Sequence, residues 1–383
     1  MASPFVYDRY VTGKNFIGRK KECGVLGNLL AAGEHVVMYE PPKAGKMSLV
    51  QQALLDMRTS GKQFVTCSVD MFNIRTVQDF LLKLGSAVLK SVMTSPDEYE
   101  AAVAGHLGGT HFVFDRDRFY QSGEVVSMNW DVSQEDVEAM LRLPYRIAEE
   151  KGTAVYVLLR EFQNLMFAHG YEDLLKTMEE MFRDRTSGVK VSFIMTGSRV
   201  NAMKHIFAYK KYFYRQVIHL PLQPIEQSEI IEHIVRGFLY GAGKSLDREL
   251  AVGACELFRG NMWYINHLAS VCDSMSKGYI SENTMTEALN SMISIHEPRF
   301  MNMVNDLTDH QLSLMRAVLD GVVKFSSSDV IMKYRLNSSA NVLRVKDALK
   351  KKEILTFNDK DEPVILDPLF EYWLGRHYFE RQQ

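Results

Sequence analysis

Cysteine is scarce and scattered: Cys23, Cys67, Cys255 and Cys272 are the four in 383 residues, and none stands in a CxxC spacing. That argues against a disulfide framework or a zinc site on paired thiolates, and it fits a reduced, cytoplasmic setting. Long apolar runs are also missing, since no stretch approaches the ~20 residues that span a bilayer. The first residues, MASPFVYDRYVTGKNF, carry charges where a secretory leader needs an apolar stretch, so no membrane partner is expected. Charge of one sign is lacking as well. The formal net charge is -2 and the sequence pI about 6.6, so no global positive field draws the molecule to nucleic acid. Any such binding must be local.

Hydrophobic residues make up 46% and charged residues 24%, the balance of a globular protein long enough for two or three domains. HVVMYE, residues 35 to 40, is a short apolar run that stops at Pro41-Pro42, and SLVQQALLDMRTSG after it has helical spacing and a Gly stop. QFVTCSVDMF (63 to 72), TAVYVLLREF (153 to 162) and KVSFIMTGSR (190 to 199) are three further strand-like runs alternating with helical segments. This predicts an α/β core with a parallel sheet. Between the second and third strands, THFVFDRDRFY and EVVSMNW alternate around Gln121-Ser122-Gly123, predicting an inserted β-hairpin within about 94–134. Its aromatics, Phe112, Phe114 and Trp130, either pack on the parent domain or face a partner.

Residues 225 to 295 read as helical throughout. From Leu307 the order is DHQLSLMRAVLDG, SSDVIMKYRL and SSANVLRVKDALKKKEIL as helices, then two short β runs turning at Asn358 to Glu362. Three helices and a β-turn-β are the order of a winged helix. The expected domains are therefore 1–222 for the α/β module, 223–305 for a helical lid and 306–383 for the winged helix.

EPPKAGKM, residues 40 to 47, stands between the first strand and its helix, where a phosphate-binding loop GxxxxGK[ST] belongs. Such a loop uses glycines so that backbone N–H groups converge on phosphate, a Lys to bridge the terminal oxygens, and a Ser or Thr hydroxyl on Mg²⁺. Gly45 and Lys46 are in place; Glu40 replaces the first Gly and Met47 the hydroxyl. At the end of the third strand, Arg160 occupies the position of a metal-holding Asp and Glu161 that of the water-polarising Glu. A thioether and a guanidinium supply no oxygen to Mg²⁺, and Ser48 lies about 100° further around the helix. Magnesium is thus doubtful as a cofactor and metal-assisted hydrolysis is expected to be impaired. Anion binding is separable: Lys43, Ala44, Gly45, Lys46, Met47 and Ser48 frame a helix N-terminus that can still hold ATP or ADP. Arg160 can restore positive charge, while Glu40 and the missing N–H groups of Pro41 and Pro42 work against binding.

Taken in order, these segments resemble the archaeal-type ATPases of the STAND and AAA+ P-loop class, including their Bacteroidetes-type members, over nearly the whole chain. FIGRKKE (16 to 22) is similar to the segment that places an apolar pair, here Phe16 and Ile17, and an Arg, here Arg19, against the adenine. REFQNL resembles the family's DEFQ strand end, with Arg160 departing. MTGSRVNAM resembles the first sensor strand, which implies that Thr196 or Ser198 faces the terminal phosphate. YFYRQVIHLPLQPI is similar to the segment with a sensor Arg, here Arg215. RGNMWYINHLA resembles the lid motif with Met262 at a position often Pro, and DPLFEYWLGR the close of the winged helix.

The resemblance implies a nucleotide-dependent switch, here one without its own hydrolytic reset, acting on a protein partner. Two other readings stay open: an active ATPase in which Glu161 and Lys46 use a non-standard metal site, and a DNA-binding winged helix. The second is prompted by Arg344, Lys346, Lys350, Lys351 and Lys352 on its third helix. His205, His219, His233 and His267 show no ligand spacing, Ser198 has no GxSxG elbow, and 21 methionines suit helical cores.

Overall fold

The computed structural model describes residues 3–184, 188–208 and 211–380, which form two compact units. One unit contains residues 20–40 and 49–222; the other contains 3–19, 41–48 and 223–380.

The first unit is built on β1 (His35–Tyr39), β2 (Phe64–Asp70), β5 (Ala154–Arg160), β6 (Val191–Gly197) and β7 (Val217–His219), with the pair β3 (Phe112–Val113) and β4 (Ser127–Met128) inserted. Its helices are α1 (Lys20–Ala32), the greater part of α2 (Lys46–Thr59), α3 (Val77–Lys90), α4 (Pro96–His106), α5 (Arg116–Ser122), α6 (Gln134–Lys151), α7 (Tyr171–Arg183) and α8 (Val200–Phe207). The five main strands make one parallel sheet in the order β2-β5-β6-β1-β7. All residues of β1 and β6 are buried, as a strand covered on both faces requires, so their sequences read as unbroken apolar runs. Parallel pairing forces helical crossovers, and these are cleanly delimited. Thr76 and Ser133 form capping boxes with Asp79 and Asp136 at the starts of α3 and α6, and Gly152 in the left-handed conformation stops α6.

The inserted segment is more helical than its alternation predicts. β3 and β4 pair antiparallel over two residues each, while RDRFYQS is helix α5 and Pro96–His106 is helix α4. Caps override alternation here: Asp115 accepts from the Arg118 N–H at 3.0 Å, and Gly123 closes α5 with φ of 75°. Arg116 then pairs with Asp97 and Glu100 of α4. Of the three aromatics, Phe112 is buried and Phe114 half-buried, whereas Trp130 is 70% exposed.

The second unit is helical: α9 (Gln227–Arg236), which runs on as a π-helix to Ala242, then α10 (Arg248–Leu257), α11 (Met262–Met275) and α12 (Glu282–Asn305), with a short pair β8 (Ser245–Leu246) and β9 (Tyr279–Ile280). After them come α13 (Asp309–Leu319), α14 (Ser328–Lys333), α15 (Ser339–Lys351), the antiparallel β10 (Leu355–Phe357) and β11 (Pro363–Ile365), and α16 (Pro368–Trp373). The wing turn is held by Asn358, whose Oδ1 accepts from the N–H groups of Lys360 at 3.0 Å and Glu362 at 2.9 Å. One apolar core runs through this unit, from Phe5 and Phe258 to Phe300, Phe370 and Trp373. No helix among the described residues is long and apolar enough to cross a membrane.

Candidate nucleotide-binding site

The loop joining β1 to α2 has the shape of a phosphate loop. Gly45 has φ of 98°, a conformation L side chains avoid, and a Cβ there would stand 2.9 Å from the Arg19 guanidinium. Lys43 also lies in the left-handed region, with φ of 68°. The cations around the loop are turned onto the protein's own groups. Lys46, which is buried, donates its Nζ to the Pro41 carbonyl at 3.0 Å, and that same carbonyl accepts from the Ala44 N–H at 3.3 Å. Arg19 donates to the Ala44 carbonyl at 2.8 Å and to the Gln223 carbonyl at 3.0 Å. Ser48 is engaged as well, its Oγ accepting from the Val11 N–H at 3.1 Å. Phe16 and Ile17 lie half-buried beside Arg19, in a chain that turns at Gly18 against Ile225.

Lys43 points elsewhere. Its Nζ sits 3.3 Å from the ring centroid of Trp263 at the start of α11, in a cluster that sequence reasoning did not foresee. Trp263 meets His267 at 5.1 Å and His296 at 6.3 Å between ring centroids, and Tyr7 stacks on His267 at 4.3 Å. Behind the aromatics, Asp367 accepts from the Tyr264 hydroxyl at 2.8 Å, pairs with Arg299 and caps α16. Burial, and then the Arg299 charge, lower the Lys43 ammonium to about 8, although Asp367 works the other way. Burial, with His296 and Lys43 nearby, takes His267 down to about 4, so it is neutral at physiological pH. Buried His267 Nδ1 has no hydrogen-bond partner among the described residues.

In the sheet unit, Glu161 follows β5 with φ of 56°, a strained setting for a side chain of its size. Its Oε2 accepts from Gln163 Nε2 at 2.7 Å, from the Ser198 N–H at 3.3 Å and from the Ser198 hydroxyl. Three donors on this one oxygen fix the orientation of the carboxylate. Gly197 keeps the approach open, since a Cβ would stand 2.6 Å from Gln163 Oε1. Thr196 is buried within β6, next to Arg160 in the register of β5. Arg160 pairs with Asp70, its register partner at the end of β2, at 3.4 Å. This ion pair is half exposed, and Asp70 offsets part of the guanidinium's charge. Arg215 is exposed, has φ of 61° and lies 5.2 Å from the Tyr214 ring. Among the described residues no three His, Cys, Asp or Glu side chains come together as metal ligands. The four cysteines are buried and form no disulfide.

Neither position offers Mg²⁺ an oxygen: Met47 at the head of α2 has a thioether, and Arg160 at the end of β5 a guanidinium in an ion pair. The loop suits an anion better, since Lys46 opens a 14-residue helix whose first N–H groups face the loop and Arg19 lies on the Ala44 carbonyl beside it.

The family described as "Probable winged helix domain" matches residues 298–376. No curated protein matches the chain. Among solved structures, the Walker-type ATPase paby2304 of Pyrococcus abyssi is similar at 16% identity with a TM-score of 0.65, over 97% of this chain and 99% of that one. The ORC2 protein of Aeropyrum pernix, solved as ADPNP and ADP complexes, is similar at 14% identity with a TM-score of 0.51, over 97% of each chain. At such identities the likeness speaks to architecture, and the chain has the fold of P-loop ATPases, a parallel-sheet α/β core with a C-terminal winged helix.

Proposed function

We propose that this protein is a nucleotide-binding regulatory or scaffold protein of the STAND and AAA+ type, in which Mg²⁺-dependent hydrolysis is impaired. The observation that carries it is the coupled state of the two metal positions. Met47 brings no oxygen to the head of α2, and Arg160 is engaged by Asp70. ATP or ADP is held by Lys43, Ala44, Gly45, Lys46, Met47 and Ser48, with Phe16, Ile17 and Arg19 on the base side. Thr196, Ser198 and Arg215 keep sensor roles, and Glu161 is vestigial as a base. Residues 1–222, 223–305 and 306–383 act as core, lid and winged helix. The ADPNP and ADP in the Aeropyrum pernix structure lend the nucleotide class plausibility.

The self-satisfied loop gives this binding a mechanism. Phosphate oxygens replace the Pro41 carbonyl on Lys46 and draw Lys43 off the Trp263 face, so the ligand's energy goes partly into breaking contacts present without it. A switch of this kind responds to occupancy rather than to turnover. Calorimetric titration is expected to show ATP binding that Lys46→Ala abolishes, with no phosphate release above background; steady Mg²⁺-dependent turnover lost in Lys46→Ala and Glu161→Gln would establish the ATPase reading instead.

DNA binding through the winged helix has less support. Lys346 of α15 is turned to the wing, 3.4 Å from Asp361 and 3.9 Å from the Phe357 ring, and Lys350 pairs with Asp347 at 2.7 Å. The wing itself carries Asp359, Asp361 and Glu362. These carboxylates repel a phosphate backbone, so the module suits protein contact.

A further inference from the structure

Along the carboxyl edge of the sheet, the segments after three adjacent strands converge on a patch that the nucleotide reading leaves unused. Phe72 and Arg75 follow β2, Phe167 and His169 follow β5, and Arg199 follows β6. Phe72 is 67% exposed and Phe167 54% exposed. Arg75 and Arg199 place their guanidinium carbons 5.4 Å and 5.6 Å from the Phe167 ring centroid, so both cations address one exposed ring. Neither is paired with a carboxylate among the described residues, whereas their neighbour Arg160 is.

The loops that carry these side chains are fixed from behind. Asn164 Nδ2 donates to the Phe72 carbonyl at 3.5 Å, the Phe72 N–H donates to Asp70 Oδ1 at 3.0 Å, and Thr76 bridges to His169. Asp79 accepts from the N–H groups of Arg75 and Thr76 at 3.2 Å and 3.0 Å, anchoring the start of α3. The rings are thus held outward. Exposed aromatics beside oriented guanidiniums are the composition of binding hot spots, because each ring offers large area at little entropy cost and each guanidinium can take a carboxylate bidentately.

We propose that this patch docks an acidic, aromatic-bearing segment of a partner protein, with carboxylates on Arg75 and Arg199 and an apolar or aromatic side chain against Phe72 and Phe167. Charge and size select this occupant over single-stranded nucleic acid. Two guanidiniums without a carboxylate partner, Arg75 giving one N–H to the Ile74 carbonyl at 2.9 Å, match two side-chain carboxylates, whereas a single strand needs a run of cations along its backbone and this patch offers two.

The test uses the full chain and a fluorescein-labelled ten-residue peptide of Glu and Asp with one Trp and one Phe, read by fluorescence anisotropy. Controls are the same peptide with Lys for every acid and a fifteen-nucleotide oligothymidylate. The acidic peptide is expected to bind, more weakly as salt rises, and to lose ~10-fold or more in affinity in Phe167→Ala and in the pair Arg75→Ala with Arg199→Ala. Arg75→Lys with Arg199→Lys, which keeps the charge and removes the fork, is expected to fall in between and guards against a folding artefact. Lys46→Ala should leave peptide binding unchanged, so failure here and failure of the nucleotide reading are separable. Absence of saturable peptide binding, or binding indifferent to these substitutions, overturns the proposal; tighter binding of oligothymidylate with the same residue dependence replaces it with a single-strand platform.

Discussion

Lys43 and Arg160 show how a residue's neighbours redirect a role its position suggests. Both sit at phosphate-site positions in the sequence, yet one lies on Trp263 and the other on Asp70. Because burial lowers Lys43 to about 8, the ammonium is about half protonated at pH 8, and an incoming phosphate raises its affinity for a proton. ATP binding at pH 8 is therefore expected to take up protons, visible as a dependence of calorimetric heat on buffer ionisation enthalpy, and to take up fewer at pH 7 or in Lys43→Gln. The metal positions make a second prediction. Met47→Thr combined with Arg160→Asp returns a hydroxyl and a carboxylate to the two sites, and phosphate release should rise ~10-fold or more over the parent, dependent on Mg²⁺ and on Lys46. Turnover no higher than the parent's would mean that Glu161, held by Ser198 and Gln163, is itself the block.

Among the elements, the insertion between β2 and β5 depends on one buried carboxylate. Asp136 is fully buried and accepts from the His111 N–H and Nδ1, both at 2.9 Å, and from the Ser133 N–H and hydroxyl, both at 2.8 Å. Burial alone would raise this carboxyl, but the hydrogen bonds from His111 and Ser133 outweigh it and hold the group at about 2. The folded value lies below the unfolded one of 3.8, so the contribution is full above pH ~4 and is lost as pH falls through about 2. That contribution is on the order of 2 kcal/mol. Urea denaturation of Asp136→Ala at pH 7 should show a loss of 2–4 kcal/mol, about that expected for orphaning several buried donors, and a flatter acid limb than the parent. Alternation in THFVFDRDRFY predicts strand here, and the failure has a local cause: the side chains of Asp115 and Gly123's left-handed backbone favour a short helix over a ladder only two residues long.

On the scale of the molecule, helices α9 to α12 and the winged helix share one core and one polar lock. Asp367 joins Tyr264, Arg299 and the start of α16, while Arg259 pairs with Glu371 and donates to the Ile365 carbonyl at 3.1 Å. Asp367→Ala leaves a hydroxyl, a guanidinium and two helix N–H groups without their acceptor, so thermal unfolding of the full chain is expected to show a loss of 2–4 kcal/mol in the transition that contains residues 223–380. Lys43→Gln should soften the same transition by about 0.5–2 kcal/mol through the lost cation–π contact. The four main strands, the helices between them and the winged helix were legible because each depends on residues adjacent in the chain: apolar period, Pro-Pro and Gly stops, and a GK dipeptide ahead of a helix. What those residues do was not legible, because it depends on groups far apart in sequence that folding brings together. Glu161 meets Ser198 only when β5 pairs with β6, Arg160 meets Asp70 only in the register of β2 with β5, and Arg75, Phe167 and Arg199 meet only where three strand ends align. Local chemistry determined the fold, and the long-range pairing of strands decided which side chains are already satisfied and which are left for a ligand.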